Sequence, residues 1–272
     1  MKELYKLLEK LFPTKEIHIE VLDKGISNQN YLVHVEHSTY VMRVPFPDQG
    51  HVFSRLHEAE INDCVRDLDV PCIYFDPKTG IKLTNYIPDL AEYEECTDEN
   101  KIERAALLVK ALHQKPAPDF DFDPIATLKT YQKMLQTPIY DLTDYQYIVD
   151  KVKNIKHTKV LCHNDLVSGN LLFGNDRDYL IDYEYAAAND ALFDVMSFLS
   201  ENNITDPTLR QRFYDVYFDE MNEDIMHSLS IWENFHNLLW CTWAMMLYEK
   251  RHESIYKEIA KMKYDALVAS HT

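Results

Sequence analysis

A small set of polar residues lies between apolar runs at a spacing suited to phosphoryl transfer. His163, Asp165 and Asn170 stand as H-x-D-x-x-x-x-N in "VLCHNDLVSGNLLF", and Asp182 follows twelve residues after Asn170 in "YLIDYEY". Transfer from a magnesium nucleotide needs one carboxylate to orient a hydroxyl and accept its proton. It also needs oxygen ligands for the metal, at least one of them charged. Asp165 fits the first role, and Asn170 and Asp182 fit the second. Each of these residue types is also a common turn former. Their joint spacing between apolar strands is what singles them out.

The elements that must position them can be read on either side. "KVLCH", a loop, "NLLFG", the turn "NDRD" and "YLIDY" read as strand, loop, strand, turn, strand, with polar residues at the strand ends. Upstream, residues 2–12 form an amphipathic helix ended by Pro13. "IHIEVL", "YLVHVEH" and "TYVMRVP" alternate as half-buried strands do. "DKGISNQN" is turn chemistry, and "EHST" is short enough for a hairpin. Residues 54–68 carry Ile61, Cys64, Val65 and Leu68 at helical spacing. "CIYFD" and "IKLTNYI" flank the turn "PKTG" as a second hairpin. After Pro88 the pattern turns helical, over 100–113, in parts of 125–155, and from Ala191 onward. The acidic stretch "DLAEYEECTDEN" reads as a solvated linker. The expected class is α+β in two lobes with a cleft between them: a small antiparallel sheet with one helix over 1–87, and a larger, mainly helical lobe over 88–272.

Composition narrows the functions. The chain has 272 residues, 46% of them hydrophobic, enough to bury a substantial core. No apolar run reaches the roughly 20 residues of a membrane span; "NLLWCTWAMML" suits a buried helix. The opening "MKELYKLLEKLF" is charged throughout and lacks the apolar centre of a secretion signal. The five cysteines are scattered and form no CxxC, which points to free thiols in a reducing cytoplasm rather than disulfides or zinc. A formal net charge of −17 argues against phosphate-mediated nucleic-acid binding. It suits a cationic substrate, and it also serves solubility.

"HNDLVSGNLL" followed by "IDYEYAAANDALFDVMSF" resembles the choline/ethanolamine kinase family, within the aminoglycoside-phosphotransferase-like group of protein-kinase-like folds. The size is similar to that of bacterial choline kinases. The resemblance covers nearly the whole chain, and its specific part is residues 160–201 and 235–264. It implies a protein-kinase-like fold with ATP and Mg2+ as cofactors. Asp165 would be the base, Asn170 and Asp182 the magnesium ligands, and Glu184 an auxiliary contact near the metal. His163 would brace the loop, and Asp194 would tie it by hydrogen bonds.

On the nucleotide side, "KGISNQNYLV" lies between two strands. Gly25 allows close backbone approach to phosphates, and Ser27 and Asn28 can donate to them. Arg43, on the third strand, stands where protein kinases use lysine, and its planar fork suits phosphate oxygens. Its anionic partner should come from the next helix: Glu58, on the face of Ile61, Val65 and Leu68, or else Glu60. The adenine would meet backbone around Asn85, Tyr86 and Ile87.

On the acceptor side, Trp240 and Trp243 share one helix face. Such a pair can be core packing. The resemblance implies that it faces a quaternary ammonium, with Tyr185 and Glu201 beside it, as suits a cation that cannot donate hydrogen bonds. Ala188 and Asp190 depart from the aromatic residues common in eukaryotic members, so Tyr256 or Tyr264 could complete the cage. The expected reaction is ATP- and Mg-dependent phosphorylation of the choline hydroxyl. Ethanolamine, thiamine or an aminoglycoside are rival acceptors, and a non-catalytic ligand-binding relative is a rival of another class.

Overall fold

Alternating burial over short β-branched and aromatic runs gives this chain its strands, and 3.6-residue apolar spacing gives its helices. A computed structural model describes residues 1–22, 28–46, 54–156 and 158–271. In chain order the first elements are α1 (Lys2–Leu11), β1 (Ile17–Leu22), β2 (Asn28–Val35), β3 (Ser38–Pro45), α2 (Arg55–Cys64), β4 (Cys72–Phe75), β5 (Lys82–Asn85) and β6 (Ala91–Glu92). There follow α3 (Lys101–His113), α4 (Pro124–Met134), α5 (Tyr147–Lys153), β7 (Lys159–Cys162), β8 (Leu171–Phe173), β9 (Asp178–Leu180) and β10 (Ala187–Asp190). Helices α6 (Ala191–Glu201), α7 (Pro207–Tyr217), α8 (Glu223–Arg251) and α9 (Ser254–His271) end the chain. It forms two compact units, Met1–Thr97 with Gly169–Tyr185, and Asp98–Ser168 with Ala186–Thr272.

The first unit is built on an antiparallel sheet in the order β1-β2-β3-β5-β4. Met42 pairs in register with Tyr31 on one side and Leu83 on the other. Met42, Leu83, Val33 and Val35 form a core closed by Leu4 and Leu8 of α1. Each such side chain, fully buried, contributes about 1.5–3 kcal/mol. The Ser54 hydroxyl caps α2 by accepting the His57 N–H. The turn between β4 and β5 needs Gly80: its φ is 73°, and a Cβ there would lie 2.5 Å from Arg55 Nε.

Two expectations are corrected here. "DLAEYEECTDEN" is not simply a solvated linker. Ala91 and Glu92 pair with Phe173 and Leu172, and Tyr93 and Cys96 are buried. Two apolar side chains three residues apart found a core among the acids, and the open edge of β8 found a partner. Nor do the compact units follow a continuous 1–87 and 88–272 split. The β8–β9 hairpin belongs with the N-terminal sheet, where the Leu180 N–H donates to the Leu68 carbonyl.

The second unit is mainly helical around α8, which packs on α9, α6, α4 and α5. The run "NLLWCTWAMML" lies at its centre and is almost wholly buried, as its composition predicts. Asn222 caps the start of α8, and His252, at φ 57°, ends it in the left-handed conformation. β10, built on alanines with little strand propensity and not anticipated, pairs with β7 and leads into α6. Among the described residues no helix is long and apolar enough to cross a membrane.

Candidate active site

The twelve-residue interval between Asn170 and Asp182 is the length of one hairpin. Leu171 pairs with Leu180, and one step outward the Ile181 N–H donates to the Asn170 carbonyl at 3.0 Å. Asn170 therefore sits beside the Ile181–Asp182 segment. Asp182 adopts φ 66°, a conformation that Asp tolerates better than most residues. Its carboxylate pairs with the Arg43 guanidinium from β3 and accepts from Asn28 Nδ2 of β2 at 3.3 Å.

Arg43 joins the hairpin to α2. It pairs with Glu58 and donates to the Gly80 carbonyl at 3.2 Å. Glu58 is buried and Glu60 exposed, so the arginine's partner in the structure is Glu58. Arg55, which sequence reasoning missed, donates to Glu58 at 2.6 Å and to Glu184 at 3.2 Å. An i,i+3 Arg–Glu pair on the helix was the available signal. Burial works against the Arg43 charge, but Asp182, then Glu58 and Glu184, outweigh it and raise its pKa. Burial, and then the Asp182 carboxylate, push the Glu184 carboxyl up to about 8. Three carboxylates share two guanidiniums here, with the Asn170 side chain nearby in the chain and buried. A set of carboxylate and amide oxygens fits a hard divalent cation such as Mg2+. Asn170, Asp182 and Glu184 are the residues that would hold it.

The Asp165 loop belongs to the second unit and is held from both sides. The Asp194 carboxylate, on α6, accepts the backbone N–H groups of His163 and Asn164 at 2.6 and 2.7 Å. The Leu166 N–H donates to Ser197 Oγ at 3.0 Å, and its carbonyl accepts from Asn202 Nδ2 at 2.8 Å. Asn164 is at φ 66°, with its side-chain oxygen accepting from Asn189 Nδ2 at 2.8 Å. His113 contacts Asp194 at 3.0 Å through Nε2 and the Tyr217 hydroxyl at 2.6 Å through Nδ1. These groups fix the backbone around a half-buried Asp165. His163 is fully buried. Ser197, Asn202, Asn189 and His113 carried no spacing signal, because they act through folded proximity.

Trp240 and Trp243 meet edge to face on α8 with ring centroids 5.7 Å apart, and Trp243 meets Tyr256 likewise at 5.7 Å. Trp240 is 7% exposed, Trp243 is half-buried and Tyr256 is fully buried. The Trp240 N–H donates to His236 Nδ1 at 3.1 Å, and His236 Nε2 bonds the Phe193 carbonyl at 2.9 Å. Burial pushes His236 down to about 3, and nearby Lys263 adds to this. Glu201 accepts from Lys263 Nζ at 2.9 Å. Tyr264 instead stacks on Tyr140 at 4.2 Å. Tyr185 is half-buried and closes the turn Tyr183–Tyr185 of the first unit.

Gly25 and Ser27 lie outside the described residues. The Asn85 N–H donates to the Pro71 carbonyl at 2.9 Å and the Tyr86 N–H to the Thr39 carbonyl at 3.1 Å. An adenine beside Asn85–Ile87 would therefore use backbone groups other than these two. Tyr86 is exposed and Ile87 half-buried.

Comparison with known proteins identifies the class. The model of the phosphotransferase enzyme family matches residues 18–229, and the chain belongs to that family. Protein LicA of Haemophilus influenzae is 25% identical over 263 residues, covering 89% of this chain and 76% of that protein. An ethanolamine kinase of Saccharomyces cerevisiae is 31% identical over 131 residues, 36% of this chain and 24% of the yeast protein. The crystal structure of choline kinase LicA from Streptococcus pneumoniae superposes with a TM-score of 0.83 at 21% identity, covering 99% of this chain and 97% of that one. The chain thus has the kinase-like α+β fold, and it is a phosphotransferase.

Proposed function

We propose that this chain transfers the γ-phosphoryl group of ATP to the hydroxyl of choline, with Mg2+ as the metal. The acceptor reading is carried by one observation: the edge-to-face pair Trp240–Trp243 on α8. Aromatic faces attract a trimethylammonium group, which has no N–H to offer a polar pocket. The relatives support the same class of acceptor, a small amino alcohol.

In this reading Asp165 accepts the choline hydroxyl proton as the oxygen attacks the γ-phosphorus. The bond from phosphorus to the bridging oxygen breaks, and ADP leaves with that electron pair. Arg43 neutralises α- or β-phosphate oxygens, and Glu58 fixes its orientation. Asn28 would contact the phosphates, a role the family resemblance also gives Gly25 and Ser27, and Asn85, Tyr86 and Ile87 would border the adenine. Asn170, Asp182 and Glu184 would hold the metal, which would neutralise phosphate charge. His163 and Asp194 keep the Asp165 loop in place, so that rate arises from alignment and charge neutralisation rather than covalent catalysis. Tyr185 and Glu201 complete the acceptor site. Ethanolamine is the second reading, favoured by the carboxylate of Glu201, which suits an ammonium carrying N–H donors. ATP consumption measured against choline, ethanolamine, thiamine and an aminoglycoside tests the proposal. Turnover greatest with choline is expected, and an aminoglycoside preference would overturn it.

A further inference from the structure

Lys82 opens β5 between Ile81 and Leu83, and it is 4% exposed. Its ammonium donates to Asn62 Oδ1 at 2.9 Å and pairs with the Asp69 carboxylate. Asn62, on α2, and Asp69 are both buried. The Asp69 carboxylate also accepts the Val70 N–H at 2.7 Å, and the Asp69 N–H donates to the Val65 carbonyl at the end of α2. Replacing a buried ion pair by packed apolar side chains is often neutral or stabilising. Stability alone is therefore a weak reason for an enclosed ammonium at this place.

The sheet register supplies another reason. Lys82 is the cross-strand partner of Arg43, so the two side chains leave the sheet on the same face. Both meet α2: Arg43 holds Glu58, and Lys82 holds Asn62, four residues further along the helix. Residues four apart lie on one helix face, about 6 Å apart along the axis. Adjacent strands thus grip α2 at two points. A single pair would let the helix pivot or slide about Glu58, whereas two fix its phase and its height over the sheet. We propose that Lys82 is a positioning residue for nucleotide binding: through Asn62 and Asp69 it sets the placement of α2, and so the direction in which Glu58 aims the Arg43 guanidinium. This rests on the reading of Arg43 as the cation that meets the ATP phosphates. Lys82 acts on the nucleotide only through these contacts.

Calorimetric titration with ADP and Mg2+ tests this without turnover. Asn62→Leu removes the helix end of the contact and should weaken ADP binding about tenfold. Asn62→Asp keeps an acceptor and should bind as the wild type does. Lys82→Met should match Asn62→Leu. Where the unpaired Asp69 carboxylate prevents folding, Lys82→Met with Asp69→Asn removes that charge; it should recover the melting temperature and keep the loss of affinity. In a Glu58→Gln background the Lys82 substitutions should add no further loss, because the pair through which Lys82 acts is already loosened. A lower melting temperature with wild-type affinity overturns the proposal, as does a fully additive loss in the Glu58→Gln background. If Arg43→Ala weakens ADP binding while the Asn62→Leu and Lys82 variants do not, the proposal alone fails. If Arg43→Ala leaves ADP affinity unchanged, the phosphate reading of Arg43 fails and the proposal with it.

Discussion

Asp165 and Arg43 illustrate two kinds of residue-level dependence. Asp165→Asn keeps the shape and removes the proposed proton acceptor. It should lower kcat by about 10²–10⁴-fold with little change in KM for ATP, in steady-state assays with the preferred alcohol. Retained turnover would remove Asp165 from the role of base. Arg43→Ala should instead raise KM for ATP well above any change in KM for the acceptor. It leaves Glu58 and Asp182 without the cation that links them, so the melting temperature should fall as well. In the sequence Asp165 was singled out by its spacing from His163 and Asn170, and Arg43 by its place on the third strand and the family resemblance. The choice of Glu58 over Glu60 was only half legible. Helical phase favoured Glu58, and the structure shows why: Arg55 and Arg43 grip it together. For Arg55 the i,i+3 spacing from Glu58 was the signal, and it was passed over because an arginine opening a helix is ordinarily solvated.

At the level of elements, strands and helices followed from periodicity because apolar residues recur where one face is buried. β6 and β10 were missed, being two and four residues long and defined by pairing rather than by pattern. His236 joins α8 to the α6 backbone through the Phe193 carbonyl, and it must stay neutral to accept the Trp240 N–H. Its folded pKa of about 3 lies below the ordinary value near 6.5. The unfolded chain therefore takes up this proton first as pH falls. The histidine's contribution to stability is present above about pH 6.5 and is lost as pH drops towards 3, by up to about 1.4 kcal/mol per pH unit. Denaturant melts between pH 7 and pH 4 should show a shallower pH slope for His236→Gln than for the wild type. Equal slopes would mean that the imidazole is not held neutral. In the same unit, Asp194→Asn should reduce kcat and thermal stability together, because the His163 and Asn164 N–H groups lose a charged acceptor.

Two properties belong to the molecule as a whole. Its charge of −17 repels itself and attracts cations. Raising salt from about 10 mM to about 150 mM shortens the Debye length from about 30 Å to about 8 Å. The melting temperature should rise over this range, while kcat/KM for a cationic acceptor falls and that for a neutral alcohol barely changes. A flat response of the cationic acceptor would mean that the surface charge serves solubility alone. The second property is how the chain is shared between units. Composition suggested a simple change at Pro88, because it records the onset of helices and is blind to a hairpin that returns to an earlier sheet. A fragment of residues 1–97 would lack β8 and β9, leaving β6 without its partner strand. Its circular dichroism should be that of a largely unfolded chain.

That same interleaving bears on how such a gene can recombine. Only three residues separate Asp165 from Gly169, yet the chain changes unit between Ser168 and Gly169, changes back after Tyr185, and has already changed once after Thr97. A single crossover between two homologous genes would therefore join one parent's β8–β9 hairpin to the other's sheet, or split a helical unit between parents. Exchanging the helical unit as a block would take two separate inserts, Asp98–Ser168 and Ala186–Thr272, spliced around a retained seventeen-residue hairpin segment. Inheritance of new specificity in a protein wired this way should proceed by point substitutions along α6, α8 and α9 rather than by shuffling.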